Sequence, residues 1–207
     1  QLENIRFWNK ALSADEIRAL LQTPPERENI EQMKANGLVA YWAFRSVEGT
    51  TVRDLTGNGH DGRMSAFEID KSHLTFTPTQ GIRFDGQNTF AMVEDIAAFD
   101  VDFITIEAWL YLDPVFHDRQ LGYRGIVSRG NYTDSFSLFG GSHYGNRIHM
   151  QISGFGDAAA PMPPAGEWIH VAGTYDENTV CLYYNGVLVD SVSAPGIIDW
   201  PYIPLFI

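Results

Sequence analysis

Cysteine is nearly absent from this chain. Cys181 stands alone in 207 residues, so no internal disulfide can form, and the redox compartment stays open. Positive charge is scarce too: 14 Lys and Arg face 26 Asp and Glu, for a formal net charge of -12. Nucleic acid and anionic membranes both need clustered cations, which this balance argues against. No apolar run approaches the roughly 20 residues of a membrane span, so no membrane insertion is expected. A charged-then-apolar leader is also missing. Gln1 runs straight into Leu2-Glu3-Asn4-Ile5-Arg6-Phe7-Trp8, which reads as a strand already under way and hence as a processing site or fragment boundary. No rhythm of strands alternating with helices marks a parallel sheet.

Turns and aromatics are what the sequence has in quantity, with 19 Gly and 13% Phe, Trp and Tyr. Residues 2–8 read as a short strand, Leu2, Arg6 and Trp8 on one side, Ile5 and Phe7 on the other. Ser13 followed by Glu16 is a capping box. Ile17, Leu20 and Leu21 supply the stripe of a short helix that Pro24-Pro25 ends. Residues 23–36 read as a linker with at most one loose helical turn. From Gly37 short strands follow one another, broken by Asn-Gly and Asp-Gly turns. Ile104 to Leu112 alternates most cleanly: Ile104, Ile106, Ala108, Leu110 and Leu112 face one way, and Thr105, Glu107, Trp109 and Tyr111 the other. Residues 168–175 pair with 180–184, which turn at Asn185-Gly186 into 187–189. The pattern predicts an all-β fold, a two-sheet antiparallel β-sandwich with one short N-terminal helix.

The turn from Asp54 to Gly62 carries the most specific chemistry. Oxygens of Asp54 and Asn58, with main-chain carbonyls of a Gly-rich loop, suit calcium, which takes six to eight oxygens in irregular geometry. The same residues also suit plain Asx-type turns. A glycosidase needs two carboxyl groups facing one site, yet Glu107 has no second acid beside it, Asp100 and Asp102 sit at a strand start, and Glu94-Asp95 point to opposite faces. No catalysis is expected. Histidines 60, 73, 117, 143, 149 and 170 show no metal-ligand spacing, and His149 and His170 read as satisfied sheet residues. Cys181 reads as a small buried hydrophobe. Tyr123, Tyr132, Tyr144 and Phe155 lie in loop-like stretches and are the candidate ligand contacts. Trp42, Trp109 and Trp168 read as core or inter-sheet packing.

These residues resemble a known family. Gly37-Leu38-Val39-Ala40-Tyr41-Trp42-Ala43-Phe44, Gly49 to Asp54 and the Gly57-to-Gly62 turn resemble the opening of laminin-G-like domains of the concanavalin A-like lectin/glucanase type. Ile104 to Trp109 resembles their central strand. Gly166 to Ala172, Tyr175-Asp176 and Leu182 to Gly186 resemble their late hairpin. The resemblance runs over residues 37–207 and implies a jelly-roll sandwich. Residues 2–17 resemble the family's final strand and closing helix, while the C-terminal segment 199–207 stops short of that element. Residues 1–22 therefore either finish an upstream copy or fill the missing place in this sandwich or a neighbouring one, and 37–207 is a sandwich lacking its final strand. The resemblance implies calcium as cofactor, held by Asp54, Asn58 and His60 and completed by an acid at Glu3, where the family more often has Asp. It also implies a recognition or adhesion module outside the cell or on its surface. Its partners would be a glycan, an extracellular protein or neighbouring laminin-G-like domains. A filament subunit joined by strand donation is the alternative, and a polysaccharide-degrading enzyme a third reading.

Overall fold

A computed structural model describes residues 1–22, 27–45, 47, 49–65, 81–84, 89–94, 97–114, 123–130, 135–141, 145–152, 154–200 and 202–207. Among these residues the chain forms β1 (Leu2–Trp8), α1 (Ala14–Gln22), α2 (Arg27–Ala35), β2 (Leu38–Trp42), β3 (Thr51–Val52), β4 (Gly62–Met64) and β5 (Ala91–Val93). A short 3-10 turn at Ala97–Phe99 leads to β6 (Ile104–Tyr111), β7 (Tyr123–Arg129), β8 (Phe136–Gly141), β9 (Arg147–Ile152) and β10 (Gly156–Pro161). The last strands are β11 (Trp168–Tyr175), β12 (Thr179–Tyr184), β13 (Val187–Ser193) and β14 (Leu205–Phe206).

The strands make two sheets, one ordered β13-β12-β11-β6-β1-β2 and one ordered β10-β9-β8-β7-β14-β5-β4-β3. Every pairing is antiparallel. The expected two-sheet sandwich is therefore what the chain builds. Its core lies between the sheets, where Ile104, Ile106 and Ala108 of β6 meet Phe136 and Leu138 of β8 and Met150 of β9. Strand alternation places these residues inward and sends Thr105, Glu107, Trp109 and Tyr111 to the outer face of the six-stranded sheet. The β12–β13 hairpin turns through Asn185 and Gly186, both at positive φ of 47° and 72°, the two-residue turn that Asn-Gly favours.

Strand β1 lies between β2 and β6 of the same sheet. Its faces depart from simple alternation. Leu2 joins Ile5 and Phe7 in the core instead of sharing a side with Arg6 and Trp8. The cause is a bulge: the register slips between Glu3 and Arg6, and Asn4 adopts φ 51°. One extra residue inverts the face of everything before it, and Asn tolerates that left-handed backbone better than most residues.

Residues 27–35 form a helix rather than one loose turn. Ile30 and Met33 lie on a small second core with Trp8, Leu12, Ile17, Leu38 and Tyr41, outside the six-stranded sheet. Weak intrinsic periodicity is overridden there by tertiary burial. Helix α1 begins as its capping box requires: Ser13 N–H donates to Glu16 Oε2 at 2.8 Å, and Glu16 N–H donates to Ser13 Oγ at 3.3 Å. Gly37, at φ 104°, follows α2 where a Cβ would come within 2.5 Å of Asn9 Oδ1, so only glycine fits. Cys181 is half-buried rather than enclosed, because β12 is covered on its outer side only by the rim of that second core.

Phe7 is fully buried and meets Phe99 edge-on at 5.0 Å and Phe136 at 5.6 Å. Phe7→Ala should destabilise the fold by about 3–5 kcal/mol in urea unfolding. A loss below about 1 kcal/mol would mean that β1 does not occupy its slot in solution.

Candidate functional site

The Asp54 turn is built around one carboxylate. Asp54 Oδ1 accepts the Tyr41 N–H at 3.1 Å, the Thr56 N–H at 3.0 Å and the Thr56 hydroxyl at 2.8 Å. Its Oδ2 takes the His60 N–H at 3.2 Å and lies 2.7 Å from the same hydroxyl. Asn58 Nδ2 donates to Val39 O at 2.8 Å, and Leu55 N–H donates to Tyr41 O at 2.8 Å. Val39 and Tyr41 offer these groups from the free side of β2, the last strand of its sheet. The turn thus supplies the hydrogen bonds that an edge strand otherwise lacks.

This arrangement does not fit the calcium expectation. A carboxylate ringed by N–H and O–H donors presents positive dipoles to a cation rather than open lone pairs. Glu3 is engaged elsewhere, accepting Arg45 Nε at 3.0 Å. His60 packs its ring 5.4 Å from Phe99. Among the described residues no group of three or more His, Cys, Asp or Glu side chains is placed to hold a metal ion. The structure brings Asp54, Asn58 and His60 into one turn and leaves Glu3 on β1.

Of the expected ligand contacts, Tyr132 and Tyr144 lie outside the described residues. Tyr123 opens β7, and its side chain also lies outside them. Phe155 is half-buried, its ring 5.8 Å from Tyr175 and pressed against Gly196, so it serves packing at one end of the sandwich. His149 and His170 are buried in the sheets, each with one ring nitrogen held by a carboxylate. His149 Nδ1 pairs with Asp157 at 2.9 Å, and its ring stacks on Phe139 at 4.7 Å.

His170 belongs to a more consequential group. Glu107 is fully buried on the outer face of the six-stranded sheet, with Arg6 Nη1 at 2.7 Å, His170 Nε2 at 2.8 Å and the Trp8 indole N–H at 3.4 Å. Cross-strand register creates the cluster, since Arg6 stands opposite Glu107 and His170 opposite Trp109 one pleat away. Burial works to raise the Glu107 pKa, but Arg6 and His170 outweigh it and hold the carboxyl at about 2. Elsewhere Asp100 pairs with Arg129. Glu107 is thus held as an anion by its buried partners.

Beyond this cluster, the outer face corrects the reading of two tryptophans. Trp42 is in the core, its indole N–H donating to His60 O at 2.8 Å. Trp109 and Trp168 instead remain half-buried on the outer face. Trp109 meets His170 edge-on at 5.5 Å, and Trp168 meets Tyr111 at 5.7 Å. Their alternation against Ala108 and Ile169 was visible in the sequence; that the two helices cover only the Trp8 and Tyr41 side of this face was not.

A family model for the concanavalin A-like lectin/glucanases superfamily matches residues 85–207. No curated protein sequence is similar to the chain. Among solved structures, the binding domain of botulinum neurotoxin serotype C1 is similar over 77% of this chain and 40% of its own, at 14% identity and a TM-score of 0.54. The binding domain of botulinum neurotoxin DC, in complex with rat synaptotagmin II, is similar over 81% of this chain and 43% of its own, at 12% identity and a TM-score of 0.54. Trypanosoma rangeli sialidase, in complex with 2,3-difluoro-KDN, is similar over 79% of this chain and 26% of its own, at 14% identity and a TM-score of 0.53. The chain thus spans well under half the length of the solved chains it matches, and these likenesses concern the fold.

The Asp54 turn and Glu107 each give a measurable expectation. Asp54→Ala should cost about 1–3 kcal/mol by leaving buried N–H groups unpaired, while chelator or added calcium leaves the wild-type Tm within about 1 °C. A rise of several degrees on adding calcium would show a cation site at odds with this geometry. Glu107 has a folded pKa below its ordinary 4.5, so its stabilisation is full above about pH 4.5 and is lost as pH falls towards about 2. Glu107→Gln should destabilise by about 3–5 kcal/mol at neutral pH, because Arg6 is left buried without its partner. The variant should also show a shallower acid dependence over that window, followed by chemical unfolding at a series of pH values.

Proposed function

We propose that this chain, which belongs to the concanavalin A-like lectin/glucanase superfamily, is a non-catalytic recognition module that holds a glycan or protein partner outside the cell. The observation that carries this reading is the state of Glu107. The acid of the central strand, where a paired carboxylate would be needed for glycoside hydrolysis, is buried and bound to Arg6, His170 and Trp8. A carboxylate so placed cannot reach a glycosidic oxygen.

Two similar structures support a binding role. One is a toxin binding domain seen with a protein, synaptotagmin II, and another is a sialidase seen with a sugar-acid analogue. Shared fold alone does not transfer either partner, and the chain matches only part of each. No helix among the described residues is long and apolar enough to cross a membrane. Calcium has no part in the proposal, given the donors around Asp54. Closure of the sheet by its own β1 also makes a neighbour's strand unnecessary, so adhesion through a partner is preferred over polymerisation.

A glycan and extracellular-protein array, run beside a reducing-end assay on the same polysaccharides, tests the proposal. Selective binding without release of reducing ends is expected. Release of reducing ends by the purified chain, abolished by Glu107→Gln with the fold intact, would replace it with an enzymatic role.

A further inference from the structure

The outer face of the six-stranded sheet is divided in two. Helices α1 and α2 and the residues around them cover one half, over Trp8, Tyr41, Ala172 and Tyr183. On the other half the side chains of β6 and β11 form a plate. Trp109 stands opposite His170, and Tyr111 opposite Trp168, with Trp109, Tyr111 and Trp168 each half-buried. Adjacent strands lie about 4.8 Å apart and alternate residues about 7 Å apart along a strand, so three large rings share one patch of the face, the Tyr111 and Trp168 rings tilted at 52°.

We infer that this plate binds a neutral glycan, whose sugar rings lie against Trp109, Tyr111 and Trp168. The inference rests on the recognition reading above and names the ligand class and the surface. Ring chemistry is the first argument. Trp and Tyr combine an apolar face with a polar N–H or O–H at the rim. A sugar has the complementary form, with C–H groups on its faces and hydroxyls around its edge. An aliphatic protein surface laid on the same plate would cover those rim donors without answering them.

Charge decides between classes of glycan. Glu3 stands opposite Trp109 on the neighbouring strand, with its side chain 16% exposed and ion-paired to Arg45. The pair places an acceptor and a donor for hydroxyls at the rim without net charge. The chain as a whole carries -12, which repels polyanions, so an uncharged polysaccharide is favoured over an acidic one.

The plate is also held rigid before any ligand arrives. His170 is pinned through Nε2 to Glu107 at 2.8 Å, and its backbone N–H donates to Asn185 Oδ1 at 3.0 Å. Trp109 rests its ring against that fixed imidazole, so little side-chain freedom remains to be lost on binding. His170 Nδ1 is meanwhile buried without a hydrogen-bond partner. Such an atom is uncommon in a satisfied interior, and it belongs to the residue that joins the ion cluster to the plate.

Affinity electrophoresis and titration calorimetry with soluble neutral polysaccharides test the assignment. Mixed-linkage β-glucan, xyloglucan and galactomannan are the probes, with alginate and heparin as acidic controls. Wild type should bind at least one neutral probe and neither acidic one, with a change in tryptophan emission on binding. Trp168→Ala and Tyr111→Ala, which remove half-exposed rings, should each weaken binding about tenfold or more while thermal unfolding stays cooperative. Tyr202→Ala, a 93% exposed ring elsewhere, should bind like wild type. Neutral-glycan binding that both plate variants retain would overturn the plate and leave the recognition reading standing. Preference for alginate or heparin would overturn the ligand class, and failure of wild type to bind any probe would overturn the inference as a whole. If, besides, no protein on the array is bound, the recognition reading falls with it.

Discussion

The architecture turns on one buried carboxylate. Glu107 sits in mid-sheet with no exposure, and its charge is tolerable only because Arg6 and His170 approach from the strands on either side. Removing Arg6 would leave a buried carboxylate without its cation in low dielectric, which costs more than the pair itself contributes. The cluster thereby fixes β1 against β6 and holds β6 against β11 at one height. It also marks where the helical cover of the outer face stops and the aromatic plate begins. The ion cluster and the aromatic plate meet at His170, which serves the cluster with one nitrogen and supports Trp109 with its ring.

A second constraint concerns sheet edges. The Asp54 turn closes the free side of β2. At the far end of the other sheet, Asp190 accepts the Ala159 N–H of β10 at 2.8 Å, and the Tyr184 hydroxyl donates to Pro161 O at 3.1 Å. Strand β3 has only two residues. Strand β13 is bulged between its pairings with Leu182 and Tyr183. Each edge is thus short, distorted or answered by side chains, all recognised ways of preventing a sheet from recruiting foreign strands. The turn whose sequence suggests a metal site closes this edge with hydrogen bonds around Asp54.

How much of this could be read from the sequence depended on how local each signal was. The capping box at Ser13, the alternation of 104–112 and the Asn185-Gly186 hairpin are set by neighbours within a few residues, and all were legible. The bulge at Asn4 was not, because nothing in residues 2–8 shows where the partner strand lacks a residue. Helix α2 was missed for a similar reason, its stability coming from Ile30 and Met33 resting on a sheet assembled from distant segments. For the site, composition distinguished aromatic from aliphatic positions but not covered from uncovered ones. Trp109 and Trp42 look alike in sequence, and only the course of the helices separates them. Asp54 was found as a special residue, yet whether its oxygens face a cation or N–H donors depends on the return path of β2.

The pairing of β1 with β6 joins residues about a hundred positions apart, Leu2 with Leu110 and Arg6 with Glu107. Contacts so distant in sequence form slowly, since a long loop must close before any burial is gained. Until they form, β6 presents an open edge in the middle of the future sheet. That edge carries a carboxylate at its centre, and a strand entering one residue out of register would bury it without Arg6. The charge therefore penalises any register of β1 that does not set Arg6 opposite Glu107.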